Sequence, residues 1–191
     1  RRAWSVAISG RPGPVVVALP EDVLTQSAEI EIPTTEILAP KSAAVAADLE
    51  QLAVKLQSAE RPVILAGGGR WDAQDRSALQ ACAHKLNIPV VTGFRYHDLF
   101  DNTDPLFVGE AGVGMTANTK RVLTEADAVL AVNLRFGEMT ADAFTLFGAN
   151  RGAQWIAQSH RSGDEFHKYV APNLSMISDP APLLQGLMAR L

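Results

Sequence analysis

Apolar residues in this chain fall into two recurring patterns, short unbroken runs and stripes at helical spacing, and the two patterns alternate. Val63-Ile-Leu-Ala66, Val90-Val-Thr-Gly93 and Ala128-Val-Leu-Ala-Val132 are runs of four or five residues without polar alternation. Such runs suit strands covered on both faces, because a strand with one wet face alternates apolar and polar positions. Val45, Leu49, Leu52 and Leu56 stand four, three and four residues apart, one stripe of a 3.6-residue period. They predict a helix over 42–59 with Ser42 as N-cap, stopped by Arg61-Pro62. A second helix opens at Asp72, turns Leu79, Cys82 and Leu86 inward, and closes at Asn87-Ile-Pro89. Residues 94–117 read as a loop-rich segment dense in aspartate, proline and aromatic side chains, followed by a short helix near 118–126. Helix-like polar residues at 140–147, strands at 153–158 and 174–177, and a last helix opened by Asp179-Pro180 complete the series. Proline at the first helical position costs nothing, since that N–H has no helical partner anyway. Leu184, Leu187, Met188 and Leu191 are expected to face inward from this helix.

Strands and helices alternating at this spacing predict a mostly parallel sheet with helices on both faces, a doubly wound, Rossmann-like α/β fold over 41–191. The first forty residues stand outside the alternation. Val15-Val-Val-Ala-Leu19, between Pro14 and Pro20, reads as a short buried strand ended by Glu21-Asp22. Residues 27–40 show no clean period and are broken by Pro33 and Pro40, which suits an extended linker. The expected organisation is a remnant of a preceding domain at 1–26, a linker at 27–40 and a central domain at 41–191, the whole cut from something longer.

Composition acts mainly by exclusion. Of 191 residues, 47% are hydrophobic and 20% charged, the proportions of an ordinary globular protein. A net charge of −4 without any Lys/Arg cluster argues against a nucleic-acid surface. The single cysteine, Cys82, excludes an internal disulfide and a multi-cysteine zinc site. The apolar runs are strand-sized, far short of the ~20 residues a membrane helix needs. With no signal-peptide pattern at Arg1-Arg-Ala-Trp-Ser5, the expected location is cytoplasmic.

Candidate chemistry is concentrated in two glycine clusters. Gly67, Gly68 and Gly69 lie where a doubly wound sheet places a phosphate loop, between first strand and helix. A dinucleotide fingerprint needs another small residue three positions on, and Asp72 stands there. An N-cap aspartate takes the amide donors a pyrophosphate would use and adds a negative charge. Thr92-Gly93-Phe94 occupies the tip of the second strand, where such a fingerprint has an acid. A tight strand-to-helix turn and a modified nucleotide loop both remain open. Gly109, Gly112 and Gly114 form the second cluster and suit either close approach to a ligand or partner, or turn geometry alone. His84 lies on a helix flank and is expected in solvent; His160 and His167 are separated by Ser162-Gly163, and no metal set emerges. Asp101, Asp104, Glu110 and Glu125 are dispersed, and nothing in the spacing converges two of them.

Ser9-Gly-Arg-Pro-Gly-Pro-Val-Val-Val-Ala-Leu-Pro-Glu-Asp-Val23 resembles the end of the pyrimidine-binding domain of thiamine-diphosphate-dependent enzymes of the acetolactate synthase type. Leu56-Gln-Ser-Ala-Glu-Arg-Pro-Val-Ile-Leu-Ala-Gly-Gly-Gly69 resembles the opening of that family's central domain. Asn87-Ile-Pro-Val-Val-Thr92, Asp104-Pro-Leu-Phe-Val-Gly109, Glu125-Ala-Asp-Ala-Val-Leu-Ala131 and the Arg135-Phe136 pair follow in the family's order. The resemblance implies the middle of a three-domain, homo-oligomeric enzyme, flanked by pyrimidine- and diphosphate-binding domains, whose parent decarboxylates 2-oxo acids or transfers an aldehyde unit. It also implies that thiamine diphosphate and Mg²⁺ belong to the parent, since the activating glutamate lies in the earlier domain and the Gly-Asp-Gly segment in the later one. The piece by itself is then expected to be inactive. Relatives bind FAD, an ADP-like group or nothing in this domain. Here Asn133-Leu134 and Ile156-Ala-Gln-Ser-His-Arg161 depart from the flavin-binding pattern, which favours a scaffolding domain over an autonomous FAD or ADP module. Were a nucleotide held, the resemblance points to Gly67, Gly68, Gly69, Thr92, Gly112, Gly114 and Arg135.

Overall fold

The apolar runs form strands, and each strand sends alternate residues to opposite sides. The computed structural model describes residues 1–147, 152 and 154–191, and it divides into two compact units, Arg1–Pro40 and Lys41–Leu191.

In the larger unit, helix α3 (Ala46–Ser58) precedes β1 (Pro62–Ala66), α4 (Ala73–Leu86), β2 (Val90–Gly93), β3 (Phe107–Ala111), α5 (Ala117–Glu125), β4 (Ala128–Val132), β5 (Trp155–His160), β6 (Leu174–Ile177) and α6 (Pro180–Met188). The six strands make one parallel sheet in the order β3-β2-β1-β4-β5-β6. This is the doubly wound α/β architecture expected from the patterning. From β1, Ile64 and Ala66 face a layer of α3, α4 and α6, and Val63 and Leu65 face Leu123 of α5 together with Phe136 and Phe147. Both faces are dry, which is why none of these strands alternates in polarity. In α3, Leu49, Leu52 and Leu56 are buried as the stripe predicts, while Val45 stands outside as N-cap.

Several expectations need correction. Ser42 does not cap α3; its N–H donates to the Asp179 carboxylate at 2.7 Å, so tertiary pairing overrides local capping. The segment read as loop at 94–117 contains β3, a short edge strand interrupted by Gly109 and Glu110. Gly109 has φ 139°, and a Cβ there would sit 2.7 Å from Thr119 Oγ1. Residues 140–147 form turns rather than a helix. The strand expected from 153 begins at Trp155, and residue 153 lies outside the described residues. Leu191 is 36% exposed, beyond the end of α6, and does not face inward.

The smaller unit holds helices α1 (Arg2–Ile8) and α2 (Glu21–Leu24), neither with a buried residue. The expected strand at 15–19 joins no sheet: these residues form neither helix nor strand, and Val16 is 92% exposed. The cause is that no described strand pairs with it. Residues 26–40 form neither helix nor strand.

Candidate functional site

In an open parallel sheet, ligands enter a crevice at the carboxyl ends of the strands, where the strand order reverses direction. Here that point lies between β1 and β4, because the chain winds from β1 outward to β3 and then returns through β4 to β6. Gly67 and Gly68 follow β1, and Asn133 and Leu134 follow β4. The crevice is filled by these residues themselves. A Cβ on Gly67 would meet Leu134 Cδ1 at 2.4 Å, and one on Gly93 would meet the same atom at 2.9 Å. Gly68 has φ 78°, and its Cβ would fall 1.6 Å from the Asn133 carbonyl oxygen. The approach of the β4 loop is thus by itself a packing reason for glycine at these positions. Leu134 is 1% exposed, and Trp71 Nε1–H donates to the Gly67 carbonyl at 2.9 Å from above the loop.

An amide in the first turn of α4, of the kind a pyrophosphate would need, is taken as well. Asp72 accepts from the Asp75 N–H at 2.9 Å, and Asp75 accepts in return from the Asp72 N–H at 3.1 Å, a reciprocal capping box. The Asp75 amide is the main reason that the Asp72 carboxyl is held below its ordinary pKa. Asp75 also reaches across to α6, where its Oδ1 accepts from the Ala181 N–H at 2.9 Å. One buried carboxylate thus bonds at the N-termini of two helices, where the helix dipole favours negative charge.

Arg161, just beyond β5, closes this cluster. Its Nε donates to Asp179 Oδ1 at 2.5 Å, one terminal nitrogen donates to Asp75 Oδ2 at 3.3 Å, and the other donates to the Arg70 carbonyl at 2.5 Å. The side chains of Arg161, Asp75 and Asp179 are 11%, 4% and 10% exposed. A planar guanidinium spreads its fixed donors over three nitrogens and so bridges acceptors on different elements, where a lysine offers all its donors from a single atom. The strand end that departs from the flavin pattern is equally inward-turned. Gln158 Nε2 donates to the Leu134 carbonyl at 3.0 Å, and Ser159 Oγ donates to the Ala131 carbonyl at 3.4 Å. His160 Nδ1 lies 3.0 Å from the Ser162 amide nitrogen, within hydrogen-bond reach.

The structure brings only some of the nominated residues together. Gly67 and Gly68 line the switch point, and Thr92, paired with Ala66, lies fully buried beside it. Gly69 is exposed on the outer turn. Gly112 lies at the end of β3, at the far edge of the sheet, where a Cβ would meet Phe94 Cδ2 at 2.7 Å; Gly114 has open space around it. Arg135 is exposed, although its neighbours Leu134 and Phe136 are buried. Two polar atoms near the crevice, Thr92 Oγ1 and Asn133 Nδ2, are buried without a hydrogen-bond partner among the described residues.

The 94–111 segment is held by carboxylates rather than left loose. Asp104 accepts from the Leu106 amide at 2.9 Å and from Gln80 Nε2 at 2.6 Å, and pairs with His84 Nε2 at 2.7 Å; the Leu106 amide above all lowers its pKa. His84, expected simply in solvent, is half exposed but paired. His97 Nε2 lies 2.8 Å from Glu110 Oε2, and the Arg95 amide donates to the same carboxylate. Glu125 pairs with Arg121, four residues back on α5, and Asp101 binds its own turn at Thr103. The converging carboxylates are Asp75 and Asp179, which sequence reasoning did not pair. Their only signal was that each sits at a helix start, Asp75 three residues after an N-cap aspartate. Among the described residues, no three His, Cys, Asp or Glu side chains are grouped to hold a metal.

The family described as "thiamine pyrophosphate enzyme, central domain" matches residues 49–187. The probable acetolactate synthase large subunit of Methanocaldococcus jannaschii is 30% identical over 100% of this chain and 33% of its own length. Sulfoacetaldehyde acetyltransferase of Rhodobacter capsulatus is 30% identical over 93% of this chain and 30% of that protein. Acetolactate synthase isozyme 1 large subunit of Escherichia coli is 34% identical over 71% of this chain and 24% of that protein. The chain thus spans a third or less of the length of these curated relatives.

Proposed function

The chain belongs to the thiamine pyrophosphate enzyme central-domain family, and from that premise we propose that it is the scaffolding middle of an acetolactate-synthase-like enzyme. In this reading residues 1–26 close a preceding pyrimidine-binding domain, 27–40 link, and 41–191 form the central domain. Thiamine diphosphate supplies an electron sink for carbon–carbon chemistry on a 2-oxo acid, and its binding groups lie in the flanking domains. This chain's own residues contribute packing and position, and the piece alone catalyses nothing.

One observation carries the scaffolding role: the switch-point crevice is occupied by Leu134 and the Asn133 backbone, with the α4 amides engaged by Asp72 and Asp75. A nucleotide would have to displace a buried leucine and break a capping box before making its first hydrogen bond. The rival, an FAD- or ADP-binding module, draws on the unpartnered Thr92 Oγ1 and Asn133 Nδ2 beside the crevice. Calorimetric titration of the chain with FAD, ADP and NAD separates the two. Scaffolding predicts no saturable heat up to millimolar ligand. Saturable FAD or ADP binding, abolished by Asn133→Ala, would establish the rival.

A further inference from the structure

Asp142, Ala143 and Phe144 have φ values of 48°, 52° and 63°, three consecutive non-glycine residues in the left-handed region. L-residues enter that region singly, because Cβ crowds the following carbonyl oxygen, and a side chain as bulky as Phe144 is an outlier there. A turn of this kind persists only where its surroundings hold it. The Thr145 N–H donates to the carbonyls of Ala141 and Asp142 at 3.0 and 3.1 Å, and the Ala143 N–H donates to that of Glu138 at 2.9 Å. On the outside, Lys120 Nζ pairs with Asp142 Oδ2 at 2.7 Å, and the Phe144 ring stacks on Tyr169 with centroids 4.5 Å apart. On the inside, Ala141, Leu146 and Phe147 are buried, whereas Phe144 remains 41% exposed.

Nothing in Thr140-Ala-Asp-Ala-Phe-Thr-Leu-Phe147 forbids a right-handed helix, since the segment holds neither glycine nor proline. At about 100° per residue, such a helix brings Ala141, Phe144 and Phe147 onto one face and turns Leu146 to the opposite one. It would bury the ring that is now wet and expose the leucine that is now dry. We propose that residues 140–147 are a two-state strap, in which the left-handed turn with Leu146 inside exchanges with a right-handed helix with Phe144 inside. Relief of the strained backbone at 142–144 favours the helix; the Tyr169 stack, the Lys120 ion pair and the burial of Leu146 favour the turn. Opposed contributions on one short segment bring two packings of the same sequence close in free energy. The strap is tied to the carboxyl end of the sheet, where Thr140 Oγ1 accepts from the Phe94 N–H, the residue after β2, at 3.3 Å. A partner surface that covers the Phe144 and Tyr169 rings therefore selects the turn, and its binding is felt beside the switch-point crevice.

The test is relaxation-dispersion NMR on the amides of 140–147, in the unsubstituted chain and in Ala143→Gly and Tyr169→Ala. A minor state is expected whose chemical shifts at Ala141, Asp142, Ala143 and Phe144 are those of a right-handed helix. Ala143→Gly removes a Cβ from a left-handed residue and weakens the helix, so the minor population should fall at least about fivefold. Tyr169→Ala removes the ring stack and should raise that population about threefold. Ala143 and Tyr169 are both exposed, so neither substitution touches the core. Should Tyr169→Ala fail to fold, Lys120→Met, which removes the ion pair at another exposed position, should shift the population in the same direction. A helical minor state seen only in Tyr169→Ala or Lys120→Met would also support the strap. Its absence from the unsubstituted chain and from these variants alike would overturn the proposal. A minor state with the shifts of unstructured chain would reduce the exchange to local unfolding and overturn it too. Ala143→Gly and Tyr169→Ala moving the population in the same direction would do likewise, since general loosening acts that way and two opposed states do not.

Discussion

Arg161→Ala removes a cation bonded to two buried carboxylates, and its consequence can be worked from the geometry. Asp75 and Asp179 would be left facing each other's charge with their helix and loop amides as remaining donors. Breaking a buried ion pair by deleting one partner costs about 3–5 kcal/mol, because the surviving charge is desolvated and uncompensated. The Ala181 N–H on Asp75 and the Ser42 N–H on Asp179 still solvate part of that charge, so the lower end, about 3 kcal/mol, applies. At 2–4 °C per kcal/mol for a domain of this size, the unfolding midpoint should fall on the order of 10 °C. Arg161→Lys should recover less than half of that, since an ammonium offers its donors from one atom whereas the three acceptors are met by three different guanidinium nitrogens. Urea unfolding at neutral pH, monitored by tryptophan fluorescence and calorimetry, gives the numbers. A loss below about 1 kcal/mol would place the cluster with exposed ion pairs, which contribute little, and would refute the argument.

Leu134→Ala should cost about 2–5 kcal/mol by opening a cavity against Gly67 and Gly93, and still confer no FAD binding because the α4 amides remain capped; denaturant unfolding with a flavin titration checks both halves. Asp72, Asp101, Asp104 and Asp127 all have carboxyls below their ordinary value of 3.8; for Asp127, burial pushes up but the Glu60 and Arg61 amides at 2.8 and 2.9 Å outweigh it. Their stabilising contribution is therefore complete above the unfolded value and is lost as pH falls through the lower folded values. Stability measured from pH 7 to 2 should decline below about pH 4, and Asp127→Asn should make that decline shallower; an equal slope in the variant would remove Asp127 from the account. Burial pushes the Cys82 thiol up to about 12, so it should resist a disulfide reagent at pH 8 in the folded chain and react promptly in urea. Fast labelling without denaturant would show that α4 opens locally.

The doubly wound fold was legible because its signals are local. Strands β1, β2 and β4 are apolar runs with no alternation, and α3 and α6 carry their leucines at helical spacing. The edge strand β3 escaped because Gly109 and Glu110 break its apolar character, and its place is set by pairing with β2 across a register shift. The glycines of the β1 loop were visible as glycines, but their reason was not. Only the approach of Leu134 and Asn133, some 65 residues later, shows the packing that demands them. Ser42 and Asp179 each look like ordinary caps in sequence, and folding binds them to one another across 137 residues. Val15-Val-Val-Ala-Leu19 shows the opposite limit, a strand pattern plain in the sequence whose pairing these residues do not supply. Periodicity and caps depend on neighbours within one or two turns, so the residues alone determined the elements and their alternation. Whether the crevice stays open and which carboxylates meet depend on side chains brought together by the crossovers, and tertiary structure alone decides that.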